Sequence, residues 1–118
     1  MNSAASAPSV SEAAERFAAD LMRTVDRLRS MGVARLAAAF EPEPTRADAA
    51  YQLIDGVARR ATLLEGVVAP AVPRLPDLAL GDQLAVIGRD LLVAARARND
   101  ALVLIETADE LLALRRRI

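Results

Sequence analysis

Apolar residues recur at helical spacing through most of the chain, and a change in the phase of each stripe marks where one helix stops and the next begins. From residue 9, Val10, Ala14, Phe17, Leu21, Val25 and Leu28 share one face, while Glu12, Glu15, Arg16, Arg23, Asp26 and Arg27 share the other. Ser9-Val10-Ser11-Glu12 has the form of a capping box, in which the Ser9 hydroxyl takes the Glu12 amide proton and Glu12 reaches back. A helix continued past Met31 would bring Arg35 into its apolar face, so the pattern predicts an end at Met31. Gly32 is then the left-handed residue after the helix, with Val33 and Leu28 as the hydrophobic pair of a Schellman ending. Residues 34–40 are predicted as a short extra helix whose Leu36 and Phe40 plug one end of the molecule, stopped by Pro42 and Pro44.

A second long helix is predicted from the Thr45 cap with Asp48 at its third position. Its face is Ala50, Leu53, Ile54, Val57, Ala61, Leu64 and Val68. Residues 69–76, APAVPRLP, read as a stiff extended crossing loop, longer than a simple hairpin needs. Asp77 is placed to cap a third helix with Leu80, Leu84, Ile87, Leu91 and Ala95 on its main face and a thinner stripe, Ala79, Val86, Val93 and Ala97, on its back. Gly88 on the main face allows a close neighbour. Continuing this helix through Arg98-Asn99-Asp100 would put Arg98 and Asp109 into the stripe set by Leu84 and Leu91, which predicts a break with Asn99 as the left-handed residue. One helix over 78–117 is the alternative. In the last stretch, 100–118, apolar residues cover an arc of roughly 200°, where a surface helix needs only about 100°. That helix is expected to be central in the fold or shared with another chain.

Together these elements predict an all-α, four-helix-bundle-like single domain over 9–118, preceded by a disordered tail at 1–8 and carrying the short extra helix at 34–40 and the Pro-rich crossing loop at 69–76. No strand pattern and no internal repeat is visible.

Composition narrows the chemistry. Among 118 residues there is no cysteine and no histidine, and all 15 basic residues are arginine. Without Cys or His there is no ordinary zinc site and no Ser-His-Asp triad. Without Lys there is no Schiff base and no P-loop lysine. The abundance of Ala and Arg points to a GC-rich bacterial genome. A net charge of −1 favours neither nucleic acid nor an anionic membrane. No run is long and apolar enough to span a membrane, and the N-terminal stretch lacks the features of a secretory signal, so a cytoplasmic protein is expected.

Few residues carry candidate chemistry. Glu12 with Glu15 and Glu106 with Asp109 are carboxylate pairs three residues apart, a spacing that can hold Mg²⁺. A metal site would need at least three of Glu12, Glu15, Asp55, Glu65, Glu106 and Asp109 to converge, and capping and helix-dipole roles are the favoured account of the pairs. Glu65, at the edge of an apolar face, is expected to pair with Arg60 or Arg89, and Tyr51 to be a core-edge tyrosine. Arg96, Arg98 and Arg115 to Arg117 are expected to be solvated dipole partners rather than a nucleic-acid patch, since no aromatic residue lies near them.

The surplus apolar surface of the last two helices is the signal that bears on function. It leads to the expectation of a non-enzymatic interaction module, without cofactor or metal, that self-associates as a homodimer or docks on another helical protein through Val86, Val93, Leu104, Leu111 and Leu114. A small-ligand-binding bundle and a carboxylate-metal Mg/Mn hydrolase are the alternatives.

Overall fold

The computed structural model describes residues 7–68 and 70–118. Apart from Ala7 and Pro8, which are exposed, the tail expected at 1–8 lies outside these residues. The fold is all-α and bundle-like: α1 (Val10–Arg29), a single turn α2 (Val33–Leu36), two short paired strands β1 (Ala39–Phe40) and β2 (Glu43–Thr45), α3 (Arg46–Glu65), a 3₁₀ turn (Asp77–Ala79), α4 (Leu80–Ala97) and α5 (Ala101–Arg117).

Local chemistry explains the ends. The capping box forms as expected, with Glu12 N–H on Ser9 Oγ at 3.1 Å and Ser9 N–H on Glu12 Oε1 at 3.0 Å. These bonds favour the Glu12 carboxylate and hold its pKa below the ordinary 4.5, the backbone amide of Ser9 acting most strongly. A depressed carboxyl pKa gives stability that is complete above the unfolded value and lost as pH falls through the folded one. Acid titration of Glu12→Gln should therefore converge on wild type below pH 4 and fall short of it above pH 5; an unchanged difference in melting temperature across that window would contradict the cap. Thr45 caps α3 by accepting the Asp48 amide at 3.1 Å.

α3 ends at Gly66, left-handed with φ 73°, and the Val67 amide reaches back to Thr62 O. The stripe therefore does not extend to Val68, which is fully exposed. α4 ends as predicted at Asn99, with φ 54°, Asp100 N–H on Ala95 O and Asn99 N–H on Arg96 O completing a Schellman motif. Asn tolerates this conformation better than most side chains, and the break separates α4 from α5.

Other expectations give way. Gly32 is extended, φ −78°, and precedes α2 rather than ending α1 in a left-handed turn. Met31 turns inward to 4% exposure, and its burial sets the chain direction there. The short helix expected over 34–40 is only Val33–Leu36. Ala39–Phe40 instead pairs antiparallel with Glu43–Thr45, a small sheet where no strand was expected. Prolines at 42 and 44 push Glu41 and Glu43 toward extended backbone, which suits a strand. Leu36 is buried in the core and Phe40 is half-buried at the bundle end, between the guanidinium groups of Arg46 and Arg117. Asp77 makes no capping bond; it accepts from Arg74 at 3.1 Å, and the 3₁₀ turn satisfies the local amide instead.

Side-chain pairs fix the helix directions. Arg16 meets Asp109, Asp20 and Thr24 meet Arg115, and Arg27 meets the Ile118 carbonyl, so α1 and α5 run parallel. Gly81 lies against Val25 and Arg29, and Gly88 against Leu21, so α4 runs antiparallel to α1. Arg74 joins Asp48 near the start of α3 to Asp77 just before α4, and Tyr51 donates to Val72 O, so α3 and α4 begin at the same end and run parallel. The proline segment therefore runs back along α3 rather than only across an end. From Gly66 to Pro76 the connection counts eleven residues, which at about 3.1 Å each match the roughly 30 Å length of the 20-residue α3.

α1 and α4 take the middle of the molecule, each packed along two other long helices. α5, expected to be central or shared with another chain, is not central: it lies at the edge, packs along α1 and only touches α3 and α4. Its inner arc, Leu104, Ala108, Leu111, Leu114 and Ile118, is buried, while Leu102 stays 63% exposed. The core is Leu, Val and Ala around Phe17, with Ala13, Ala14, Ala50 and Ala95 letting helices approach closely.

Candidate functional site

Carboxylates first. Glu12 is committed to its cap, and Glu15, Glu65 and Glu106 are exposed. Asp55 pairs with Arg59 on its own helix, and Asp109 pairs with Arg16 of α1. The two carboxylate pairs thus lie on neighbouring parallel helices, but Asp109 is taken up by Arg16, whose guanidinium pKa is raised chiefly by that hydrogen bond. Among the described residues no group of three or more acidic side chains is placed to hold a metal ion. Glu65 has neither expected partner: it is the last residue of α3, and Arg60 reaches across to Glu110 and Thr107 of α5 instead. Tyr51 is half-buried with its hydroxyl on Val72 O and Arg74 over its ring at 5.4 Å, a tie for the proline segment.

The arginines divide between the two ends of the molecule. Arg96 and Arg98 close α4, whereas Arg115 to Arg117 lie at the far end of α5. Arg115 is not a solvated dipole partner. Its side chain is 15% exposed and clamps α5 to α1, donating to Asp20 O at 3.0 Å, Thr24 Oγ1 at 3.1 Å and Asp20 Oδ1 at 2.9 Å. Arg60 clamps α3 to α5 by the same design, using Thr107 and Glu110. The sequence does carry a signal for both: Asp20 and Thr24 fall on the apolar face of α1, and Thr107 falls among Leu104, Ala108 and Leu111.

The five proposed contact residues separate. Val86 and Val93 are 63% and 65% exposed on the outer face of α4. Leu104 and Leu111 are fully buried and Leu114 is 6% exposed, all within the chain's own core, so they offer a partner no surface. Periodicity alone does not single out a further exposed side chain, Met22 of α1, which is half-exposed and lines the same groove as Val93. Two shallow apolar grooves flank the α4 ridge. One, about 430 Å³, runs between α1 and α4 and is lined by Ala18, Leu21, Met22, Ala85, Leu92 and Val93, with Arg89 at its margin. The other, about 570 Å³, lies between α4 and the proline segment. Charged residues alternate with the valines on this ridge: Asp82, Arg89, Asp90 and Arg96 are exposed beside them.

Among the described residues no helix is long and apolar enough to cross a membrane. No family model, no curated protein and no solved structure matches the chain at a significant level.

Proposed function

We propose that the chain is a non-enzymatic helical interaction module of the cytoplasm that self-associates as a homodimer through the outer face of α4 and the adjoining flank of α1. The observation that carries this reading is the exposure of Val86, Val93 and Met22 on one side of the two central helices, with apolar grooves on either side of the ridge. Exposed apolar side chains gathered on one face are costly to leave in water, which supports reading this face as a docking surface. A two-fold axis would place the same patch of each copy against the other, the commonest oligomer geometry. The proposed surface differs from the one expected from sequence: Leu104, Leu111 and Leu114 are buried within the chain, and the flank of α1 takes the place of α5 in this reading.

Light scattering during size exclusion tests this. Wild type should show about twice the 12.6 kDa chain mass at micromolar concentration. Val93→Asp should show the chain mass with an unchanged circular dichroism spectrum, because a charge at the centre of an apolar contact loses its hydration without gaining a partner. A wild-type mass of 12.6 kDa at high concentration would refute self-association.

A further inference from the structure

Asp20, Thr24, Gln83 and Thr107 are the buried polar side chains of the described residues. An arginine from a neighbouring helix completes Asp20, Thr24 and Thr107. Gln83 has no such partner. Its Nε2 donates to the Pro73 carbonyl at 3.0 Å, while its Oε1 is closed off from solvent and unpaired. Turning the amide over would not help, because the oxygen would then face the Pro73 oxygen. An acceptor buried without a donor carries its full desolvation penalty, and in a native protein such a group calls for a reason.

Gln83 lines the larger groove, beside Val72, Pro73, Leu75, Val86 and Ile87. At about 570 Å³ the groove falls within the usual size of small-molecule sites. Its wall offers almost no donors: Pro70 and Pro73 have no N–H, and the rest of the lining is mainly aliphatic. The one charged residue at the margin, Asp82, is already held by Arg29 at 2.6 Å. We propose that this groove binds a small, neutral, largely apolar molecule carrying one N–H or O–H donor, seated against Val86 and Ile87 and donating to Gln83 Oε1. The apolar body replaces water along the aliphatic wall, and the single donor satisfies the idle acceptor. A charged ligand has nothing here to balance it. Because Oε1 lies below the level that solvent reaches, seating the donor displaces the wall at Pro73, which is tied down by Gln83 itself and by Tyr51 through Val72.

Indole and 1-methylindole test the proposal, having nearly the same shape and differing in the N–H. In an NMR titration of the full chain, indole should give saturable shifts confined to the amides of Val72, Ala79, Gln83, Val86 and Ile87. 1-Methylindole should bind about tenfold more weakly, the size of effect that an unpaired buried acceptor produces. Gln83→Leu should make the two probes equal. Ala79→Phe, which occupies the groove and alters neither Gln83 nor Pro73, should abolish binding of both in a chain that still melts cooperatively. Equal affinities on wild type, or no saturable binding of indole, would overturn the proposal, and both outcomes can be read even if Gln83→Leu fails to fold. The groove shares Val86 with the proposed dimer face, so the monomeric Val93→Asp should bind indole at least as tightly as wild type, and a monomeric wild type would leave this inference standing.

Discussion

Asp20→Ala should destabilise the fold by about 3–5 kcal/mol, the cost of removing one partner from a buried ion pair. The reason lies in what remains behind. Arg115 is held between α1 and α5 with its side chain 15% exposed, and loss of Asp20 leaves its Nη2 without the Oδ1 contact at 2.9 Å. Alanine improves intrinsic helix propensity by only about 0.5 kcal/mol, too little to offset a stranded guanidinium. Replacing both partners, Asp20→Leu with Arg115→Met, should recover most of the loss, because apolar side chains of similar volume need no compensation in the core. Asp109→Ala is the control. It breaks the Arg16 pair, whose side chains are 41% and 61% exposed, and should cost no more than about 1 kcal/mol. Urea unfolding with unchanged m-values measures all three. A loss below 1 kcal/mol for Asp20→Ala would mean that water reaches the clamp and that it adds orientation rather than stability.

That clamp also shows where the sequence was readable and where it was not. Three ends of the long helices were readable from local devices: the Ser9–Glu12 box, the Thr45 cap and the Asn99 ending each involve residues within five positions of one another, whereas the equally local Gly66 ending was obscured by an apolar stripe running on to Val68. Gly32 and Gly66 mark the limit. Both follow an apolar stripe, yet only Gly66 turns left-handed, because at Gly32 the burial of Met31, a tertiary effect, decides the path. The pairing of Ala39–Phe40 with Glu43–Thr45 escaped the period-2 test because each strand is too short to show an alternation. Helix order escaped for a different reason. The width of the apolar arc on α5 suggested a central or shared position, but Leu104, Ala108, Leu111 and Leu114 are buried against the chain's own core while Val103, Ile105 and Leu112 are only half-buried at the edge. The central pair, α1 and α4, was marked instead by small residues, Gly81 and Gly88, at the contacts with Val25 and Leu21. Site residues fared likewise. Periodicity placed Val86 and Val93 on the outside of α4 correctly, but it could not tell which part of the α5 arc faces the core, and so it assigned Leu104, Leu111 and Leu114 to a surface they do not reach. The unpaired Gln83 acceptor depends on a loop ten residues away and has no sequence signature at all.

Gly88→Leu should cost about 3 kcal/mol, the upper end of the usual penalty for overpacking a core. A β-carbon at this position would lie 2.5 Å and 2.7 Å from the two methyl carbons of Leu21 and 3.1 Å from its Cγ. These distances place the Leu21 side chain itself in the space that the glycine leaves. Gly88→Ala is therefore a near balance: about 1 kcal/mol of helix propensity is gained, and Leu21 must rotate toward the α1–α4 groove it lines, at a rotamer cost of about 0.5–1.5 kcal/mol. Leucine has no such escape, because its extra methylenes would follow Leu21 into the contact and force the helices apart. At Gly56 the same alanine substitution meets nothing within 4 Å and should simply stabilise the chain by about 1 kcal/mol. The decisive comparison is the double variant Leu21→Ala with Gly88→Leu, which moves the large side chain from α1 to α4 and keeps the volume at the contact. It should be several-fold less destabilised than the sum of its parts, since residues in contact couple strongly. Strict additivity would show that the two side chains do not share this space, and with it the close approach of α1 and α4 would lose its structural basis.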